Sequence, residues 1–178
     1  RFLDLQKAEE QAREANIQLA LERLRAKTMA MQKSEELAET VQVLFNQLTD
    51  LGMLHPPSRA FFSLFNIEEE SAEVWTTHAD GSLRPGSHTV SFNENANLKL
   101  VFDAWQSGKD HVVEDMTGDA VKKYLEYLMT RPNLQDDEVV RQLQVTPPTR
   151  IVITEYFFRY GTVSIIAPEP LTEDHKET

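Results

Sequence analysis

The side chains best suited to chemistry in this 178-residue chain are histidines and carboxylates near predicted strand ends and turns. Its five histidines never fall four residues apart, so none forms the paired ligand motif of a metal-binding helix. A metal site at one edge of the predicted sheet is one interpretation, because imidazole and carboxylate groups are common zinc ligands. Isolated histidines in such positions are more often plain surface residues, and this interpretation is favoured. The candidate ligands are His78, Asp80, His88 and His111.

Glu155 is the second chemical candidate, because it lies between apolar residues on the predicted penultimate strand. A carboxyl group buried there would have a raised pKa, since burial disfavours the charged form. The other interpretation is a solvent-facing strand residue. The solvent-facing position is favoured.

Composition excludes several kinds of chemistry. The chain has no cysteine, which removes disulfides, thiolate nucleophiles, cysteine-bound zinc and a thioether-linked chromophore. Its six glycines are too widely spaced for a phosphate-binding loop or a dinucleotide-binding fingerprint, so ATP hydrolysis is not expected. The sequence therefore predicts no cofactor and no catalytic residue, and it predicts a metal only under the histidine alternative.

Aromatic side chains are a better indication of a binding site. They are spread over the predicted sheet and the helices expected to cover it, where a pocket with a few polar groups would suit a small planar or apolar molecule. The other interpretation, which is favoured, is that they only fill the core. The sequence does not identify which molecule would bind there. The candidate pocket residues are Phe61, Trp75, Phe92, Trp105, Tyr124, Tyr127, Tyr156 and Phe158.

These side chains must be positioned by strands and helices that follow Ser34. Apolar runs and alternation between turn residues predict strands at 59–67, 73–78, 88–92, 111–114, 150–160 and 162–167. Apolar residues at helical spacing predict helices at 34–51, 96–106, 119–130 and 134–144. This order favours an α+β fold, in which an antiparallel sheet of about six strands carries helices on its faces.

Residues 1–33 contain no Pro, Gly or His and predict one long helix that runs towards Ser34. Apolar and small residues recur in steps of three and four, and their line changes phase near Asn16 to Ala20. A parallel two-stranded coiled coil is favoured, because a helix of about 30 residues spans roughly 45 Å, more than this domain needs. The alternative is a helix folded back on its own domain. The expected dimer contacts are Leu5, Ala12, Leu19, Leu24 and Met31.

The net charge of −11 argues against nucleic acid and anionic membrane surfaces as partners. No apolar run approaches the length of a membrane span and no signal peptide is recognisable, so membrane insertion is not expected and a cytoplasmic location is. The chain does not begin with methionine and is expected to be a piece of a longer protein. Its predicted organisation is a linker helix at 1–33, one domain at 34–172 and a tail at 173–178.

The order of elements resembles the GAF domain, a fold related to PAS domains. Residues 1–37, RFLDLQKAEEQAREANIQLALERLRAKTMAMQKSEEL, resemble the helical linker of GAF modules in multidomain bacterial sensor histidine kinases. Residues 153–171, ITEYFFRYGTVSIIAPEPL, resemble their terminal hairpin. The resemblance covers nearly the whole chain and implies a sensory domain connected by helices to neighbouring domains. It also implies a closing C-terminal helix that this chain would lack. No match to the cyclic-nucleotide motif of some GAF domains is visible.

The expected function is a non-catalytic sensory module for signal transduction in a two-component system. The kinase activity would lie outside this chain, because its long helix has no histidine to accept phosphate. Expected partners are a second copy bound in parallel through the N-terminal helix, the adjacent domains, and an unidentified small ligand. The alternatives are a metal-dependent hydrolase that uses His78, His111 and nearby carboxylates, and a scaffold that only dimerises.

Overall fold

Six antiparallel strands form the central sheet of the computed structural model, which describes residues 1–28, 34–52, 58–78, 82–132 and 134–169. Hydrogen bonds between neighbouring strands define their order across the sheet. The third and fourth strands in chain order lie at its two edges. The prediction of an α+β fold with a six-stranded antiparallel sheet is confirmed. In chain order the strands are β1 (Arg59–Asn66), β2 (Ser71–Thr76), β3 (His88–Ser91), β4 (His111–Thr117), β5 (Arg150–Phe158) and β6 (Gly161–Ala167). The order across the sheet is β3-β2-β1-β6-β5-β4.

Both strands of the β5–β6 hairpin are internal strands of the sheet. Both strands are buried along nearly their whole length, as expected for apolar strands that are covered on two faces. Gly161 begins β6 where the chain passes against β1. A Cβ atom at this position would lie 1.8 Å from the carbonyl oxygen of Ser63. Glycine is therefore required here by the close approach of two backbones.

The helices within the described residues are α1 (Phe2–Thr28), α2 (Ser34–Asp50), α3 (Ala96–Gln106), α4 (Asp119–Met129) and α5 (Glu138–Val145). Side-chain caps fix the starts of the third and fifth helices. Asn95 accepts a hydrogen bond from the backbone N–H of Asn97, and Asp137 accepts one from that of Val140. Because Asp137 is a cap, α5 begins at Glu138, four residues later than the predicted start of that helix.

Alternation along the strands gives the sheet two covered faces. On one face, Phe62, Tyr156 and Val163 join buried residues of α1 and α2 in a single cluster. We call this the α1–α2 face. On the opposite face, α3, α4 and α5 pack over strand residues that include Phe61 and Ile153. We call this the cavity face, because the candidate site lies there.

The second half of α1 is folded back on its own domain. Ile17 and Ala20 are buried in the same cluster as Phe45 and Leu48 of α2. α1 and α2 therefore pack side by side, since residues 17 and 45 of one continuous helix would lie about 42 Å apart. For this part of α1, the fold-back interpretation is therefore right, although the sequence pattern did not favour it. The coiled coil stays a prediction for the exposed first half.

Candidate functional site

A cavity of about 110 Å³ lies between the cavity face of the sheet and helices α3, α4 and α5. Its walls are apolar and partly aromatic, whereas its floor carries hydroxyl and carboxyl groups from the sheet. Small-molecule sites in proteins commonly combine an apolar lining with a few convergent polar groups. The aromatic wall residues include Phe61, Phe92, Tyr124 and Tyr127. The polar floor consists of Ser63, Thr76, Glu114, Glu155, Thr162 and Ser164.

Strand register brings the floor together. Phe61 on β1 pairs with Thr76 on β2 and with Ser164 on β6, and Ser164 pairs in turn with Glu155 on β5. Directly paired residues point to the same face of a sheet, so this row projects into the cavity. The side-chain oxygen of Thr76 is buried and has no hydrogen-bond partner among the described residues. A buried hydroxyl in this state costs free energy that a bound molecule can recover.

Glu155 lies in the floor with only 9 % of its surface exposed. Its Oε2 accepts hydrogen bonds from the hydroxyl groups of Thr162, at 2.9 Å, and Ser164. Burial raises the pKa of Glu155, and these two hydrogen bonds oppose the shift without cancelling it. The solvent-facing interpretation of Glu155 is therefore wrong. Helices cover both faces of β5, so neither alternation on this strand meets water.

Glu114 is the second carboxyl group of the floor. It pairs with Ile153 across β4 and β5, which places it on the same face as Glu155. Burial, followed by the negative charge of Glu155, raises the pKa of Glu114 to about 7. The pKa of Tyr124 is raised by burial and then by the charges of both glutamates. The two carboxyl groups thus disfavour each other's ionisation, and a proton is retained between them near neutral pH.

The cations near the cavity rim are already compensated. Arg131 forms an ion pair with Glu94, and its guanidinium lies 4.5 Å from the centre of the Tyr127 ring. Burial and then the positive charge of Arg131 lower the pKa of His88, so its imidazole is neutral at pH 7. The described part of the lining therefore offers two uncompensated carboxyl groups and no uncompensated cation.

Of the eight predicted pocket aromatics, four line the cavity, three lie on the opposite face of the sheet, and Trp105 packs on the cavity face outside the cavity lining. Those that line the cavity are Phe61, Phe92, Tyr124 and Tyr127. Trp75, Tyr156 and Phe158 lie on the α1–α2 face instead, because they occupy the other alternation of their strands. Trp105 packs against Phe65 and Phe102 and donates its indole N–H to the carbonyl oxygen of Phe158, at 2.8 Å.

Of the polar floor, sequence reasoning singled out only Glu155. Thr162 and Ser164 alternate with Val163 and Ile165 in β6, a period of two that predicts two distinct strand faces. The hairpin predicted around Arg159 to Gly161 was the signal that could have placed these hydroxyl groups opposite Glu155. Glu114 offered no comparable signal, because its burial depends on helices that are distant in the sequence.

The proposed histidine site is not formed. His88 begins the edge strand β3, whereas His111 begins the opposite edge strand β4, five strand spacings or about 24 Å away. His78 follows β2 and is also far from His111, and Asp80 lies outside the described residues. No group of three metal-ligating side chains occurs among the residues that the structure describes. The alternative in which His88 and His111 converge on one metal is therefore wrong, because the sheet order separates their strands.

The residues predicted for dimer contact lie on exposed parts of α1 where they are described. Leu5 is 61 % exposed and Leu19 is 50 % exposed, and Ala12 between them is also exposed. Phe2 and Leu3, near the start of α1, are exposed as well but lie on other sides of the helix. The side chains of Leu24 and Met31 lie outside the described part of the chain.

Comparison of the chain with protein-family models, with curated proteins and with solved structures finds no match. Among the described helices, none combines the length and the apolar character needed to cross a membrane. A function for this chain is therefore inferred from the geometry of the cavity and of α1.

Proposed function

We propose that this chain is a non-catalytic regulatory module, similar to a GAF domain, within a cytoplasmic sensor histidine kinase. It binds a small ligand in the cavity, forms a parallel homodimer through α1 and passes the signal to adjacent domains. The cavity carries this proposal, because its polar floor lies on a covered sheet face where apolar side chains would give greater stability. Residues that weaken a core are expected where they serve a ligand.

Strand β5 offers a physical connection between the cavity and α1. Glu155 projects into the cavity, and the next residue, Tyr156, projects to the α1–α2 face. α1 contacts β5 directly. Burial and then the negative charge of Glu14 on α1 raise the pKa of Tyr156, which indicates that the two side chains are near each other. A ligand that shifts β5 would therefore act on α1 through one layer of side chains.

The two contact surfaces of α1 are separate. Ile17 and Ala20 face the domain, whereas Leu5, Ala12 and Leu19 lie roughly 110° away around the helix. One side of α1 can thus remain docked while the other binds the second copy. The heptad spacing of Leu5, Ala12 and Leu19 suits a parallel pair of helices in register.

The dimer is tested by the double substitution Leu5→Glu with Leu19→Glu, measured by size-exclusion chromatography with light scattering. We expect a dimer in the original protein and a monomer in this variant, because four carboxylates would repel each other across the contact. The matched control is Gln11→Glu with Gln18→Glu, which adds the same charge on a third side of α1 and should stay dimeric.

Two outcomes would contradict dimerisation through α1. One is a dimer that persists in the Leu5 and Leu19 variant, and the other is an original protein that is monomeric at micromolar concentration. Point substitutions are preferable to removal of α1, because Ile17 and Ala20 belong to the domain core.

A further inference from the structure

We propose that the cavity binds a compact protonated amine, with its ammonium group held by the carboxylates of Glu114 and Glu155 and its apolar body against the aromatic walls. This inference rests on the proposed ligand-binding function and adds the chemical class of the ligand. It follows from the acceptors that the cavity offers, from the balance of charge around it, and from the character of its walls.

The floor offers hydrogen-bond acceptors that the protein does not use. Both hydrogen bonds that Glu155 accepts from described residues reach Oε2, which leaves Oε1 without a partner among them. The hydroxyl group of Thr76 is also buried without a partner in the described part of the chain, but it lies three strand spacings or about 14 Å from Glu155 and does not share one ammonium group with it. An ammonium group has three N–H donors and no acceptor, and it therefore complements carboxylate and hydroxyl oxygens.

The charges around the cavity favour a cation over an anion. Arg131 is paired with Glu94, and Arg59, at the start of β1, is held by both oxygens of Asp137. An anionic ligand would add further negative charge beside the two carboxyl groups, with no free cation in the described lining to offset it. A neutral ligand would leave both carboxyl groups without a counterion. An ammonium group removes the repulsion between them.

The walls suit the remainder of such a ligand. Phe61, Phe92, Tyr124 and Tyr127 present aromatic surface to the cavity, and aromatic rings attract cations as well as apolar groups. A volume of about 110 Å³ is comparable with the roughly 150 Å³ cavity that accommodates benzene in an apolar core. The ligand is therefore expected to be of the size of a small ring or a short alkyl chain.

Binding of an amine should release a proton. Glu114, with its pKa raised to about 7, is close to half protonated at pH 7, and a bound ammonium group would favour its ionised form. About half a proton per bound amine should then be released at pH 7. The titratable and charged groups near Glu114 or along the same lining are Glu155, Tyr124, Tyr127, His88 and Arg131.

Isothermal titration calorimetry of the full chain with matched probes tests the ligand class. Benzylamine, benzyl alcohol and benzoate share one ring and differ in charge, and n-butylamine provides a smaller amine. At least one of the two amines should bind at millimolar concentration, and benzylamine should bind at least tenfold more tightly than benzyl alcohol. Benzoate should give no binding. The heat measured in two buffers of different ionisation enthalpy should report the released proton.

Substitutions locate the binding site. Glu155→Gln and Glu114→Gln should each reduce the preference for benzylamine over benzyl alcohol to below threefold, whereas Glu126→Gln, on the exposed side of α4, should leave it unchanged. If a glutamate variant fails to fold, Thr162→Val provides a near-isosteric test, because it removes a hydrogen bond that stabilises the Glu155 carboxylate. It should weaken benzylamine by about threefold, in line with the loss of one hydrogen bond.

Three other outcomes of the calorimetry would each overturn the inference, and each has a different consequence. Equal binding of benzyl alcohol would keep the cavity as a ligand site and reject the cationic class. Preferential binding of benzoate would show that the cavity favours an anion and would reject the positive charge proposed for the ligand. Failure of both amines would reject the inference. The proposed regulatory role would then depend on the dimer measurement, which is independent of any ligand.

Discussion

Glu114 and Glu155 illustrate how a covered sheet face changes the behaviour of ordinary strand residues. Each carboxyl group lies on the cavity face, where burial disfavours its charge, and the negative charge of Glu155 further raises the pKa of Glu114. The hydroxyl groups of Thr162 and Ser164 stabilise only one of the two, Glu155. Glu114 is therefore the residue that should gain or lose its proton near neutral pH.

The pH dependence of stability provides a test at this scale. The folded protein holds the Glu114 proton up to about pH 7, whereas the unfolded chain loses it near pH 4.5. The folded state thus binds more protons across this window, so the contribution of Glu114 to stability falls as pH rises through it. Relative to Glu114→Gln, the original protein should lose on the order of 3 kcal/mol of unfolding free energy between pH 4.5 and 7.5.

Urea denaturation of both proteins at pH 4.5, 6 and 7.5 measures this difference. Carboxylates remote from Glu114 contribute equally to the two proteins and cancel in the comparison, so the difference reports Glu114 and its coupling to Glu155. Glu126→Gln, on an exposed part of α4, is the control and should follow the original protein at every pH. A constant difference between Glu114→Gln and the original protein would show that Glu114 titrates normally in the folded state.

At the scale of elements, α5 is held to the sheet by one carboxylate. Asp137 caps the helix through the Val140 N–H, at 3.0 Å, and accepts hydrogen bonds from both terminal nitrogens of Arg59, at 2.7 and 2.8 Å. Arg84 also pairs with it. Burial would raise the pKa of Asp137, but these hydrogen bonds and positive charges outweigh burial and lower it. The neighbouring residue Leu134 lines the cavity, so this ion pair also supports the site.

Asp137→Ala should therefore be among the most destabilising single substitutions. It removes a helix cap and leaves the buried guanidinium of Arg59 without its counterion, a combination expected to cost about 3–5 kcal/mol. Asp136→Ala, at the adjacent exposed position, is the matched control and should change stability by less than about 0.5 kcal/mol. Chemical denaturation at pH 7 measures both. Similar losses in the two variants would contradict the assigned role of Asp137.

At the scale of the whole molecule, α1 belongs to the domain and also extends away from it. Ile17 is 2 % exposed in the cluster on the α1–α2 face, whereas Leu19, two residues later, is half exposed. A helix with one docked side and one free apolar side suits a connector between copies and between domains. Its docked half also lies against β5, the strand that carries Glu155.

The pair Ile17→Ala and Leu19→Ala should separate these two roles. Ile17→Ala should lower the unfolding free energy by about 2–5 kcal/mol at every protein concentration, because it leaves a cavity in the core. Leu19→Ala should cost less than about 0.5 kcal/mol in dilute protein and more as concentration rises into the range of the dimer. Thermal unfolding over a hundredfold range of concentration distinguishes them. A large loss for Leu19→Ala in dilute protein would place that residue in the core.

Much of the fold was predictable because its signals are local. The β5–β6 hairpin follows from two apolar runs around Gly161, and α3 and α4 follow from apolar residues at helical spacing. Half of the predicted pocket aromatics line the cavity, since composition identifies aromatic residues but does not assign them to a face. The face of Trp75 or Tyr156 depends on strand register, which is set by pairing between distant segments.

The sequence by itself determined the α+β class, the approximate positions of the strands, and the exclusion of cysteine and phosphate-loop chemistry. These properties depend on periodicity and composition, which are read within a few residues. Only the tertiary structure decided that β3 and β4 lie at opposite edges, that Ile17 docks on α2, and that Glu114 and Glu155 share one cavity. Burial of a carboxyl group is a property of what packs over it, and in this protein the covering helices come from separate parts of the chain.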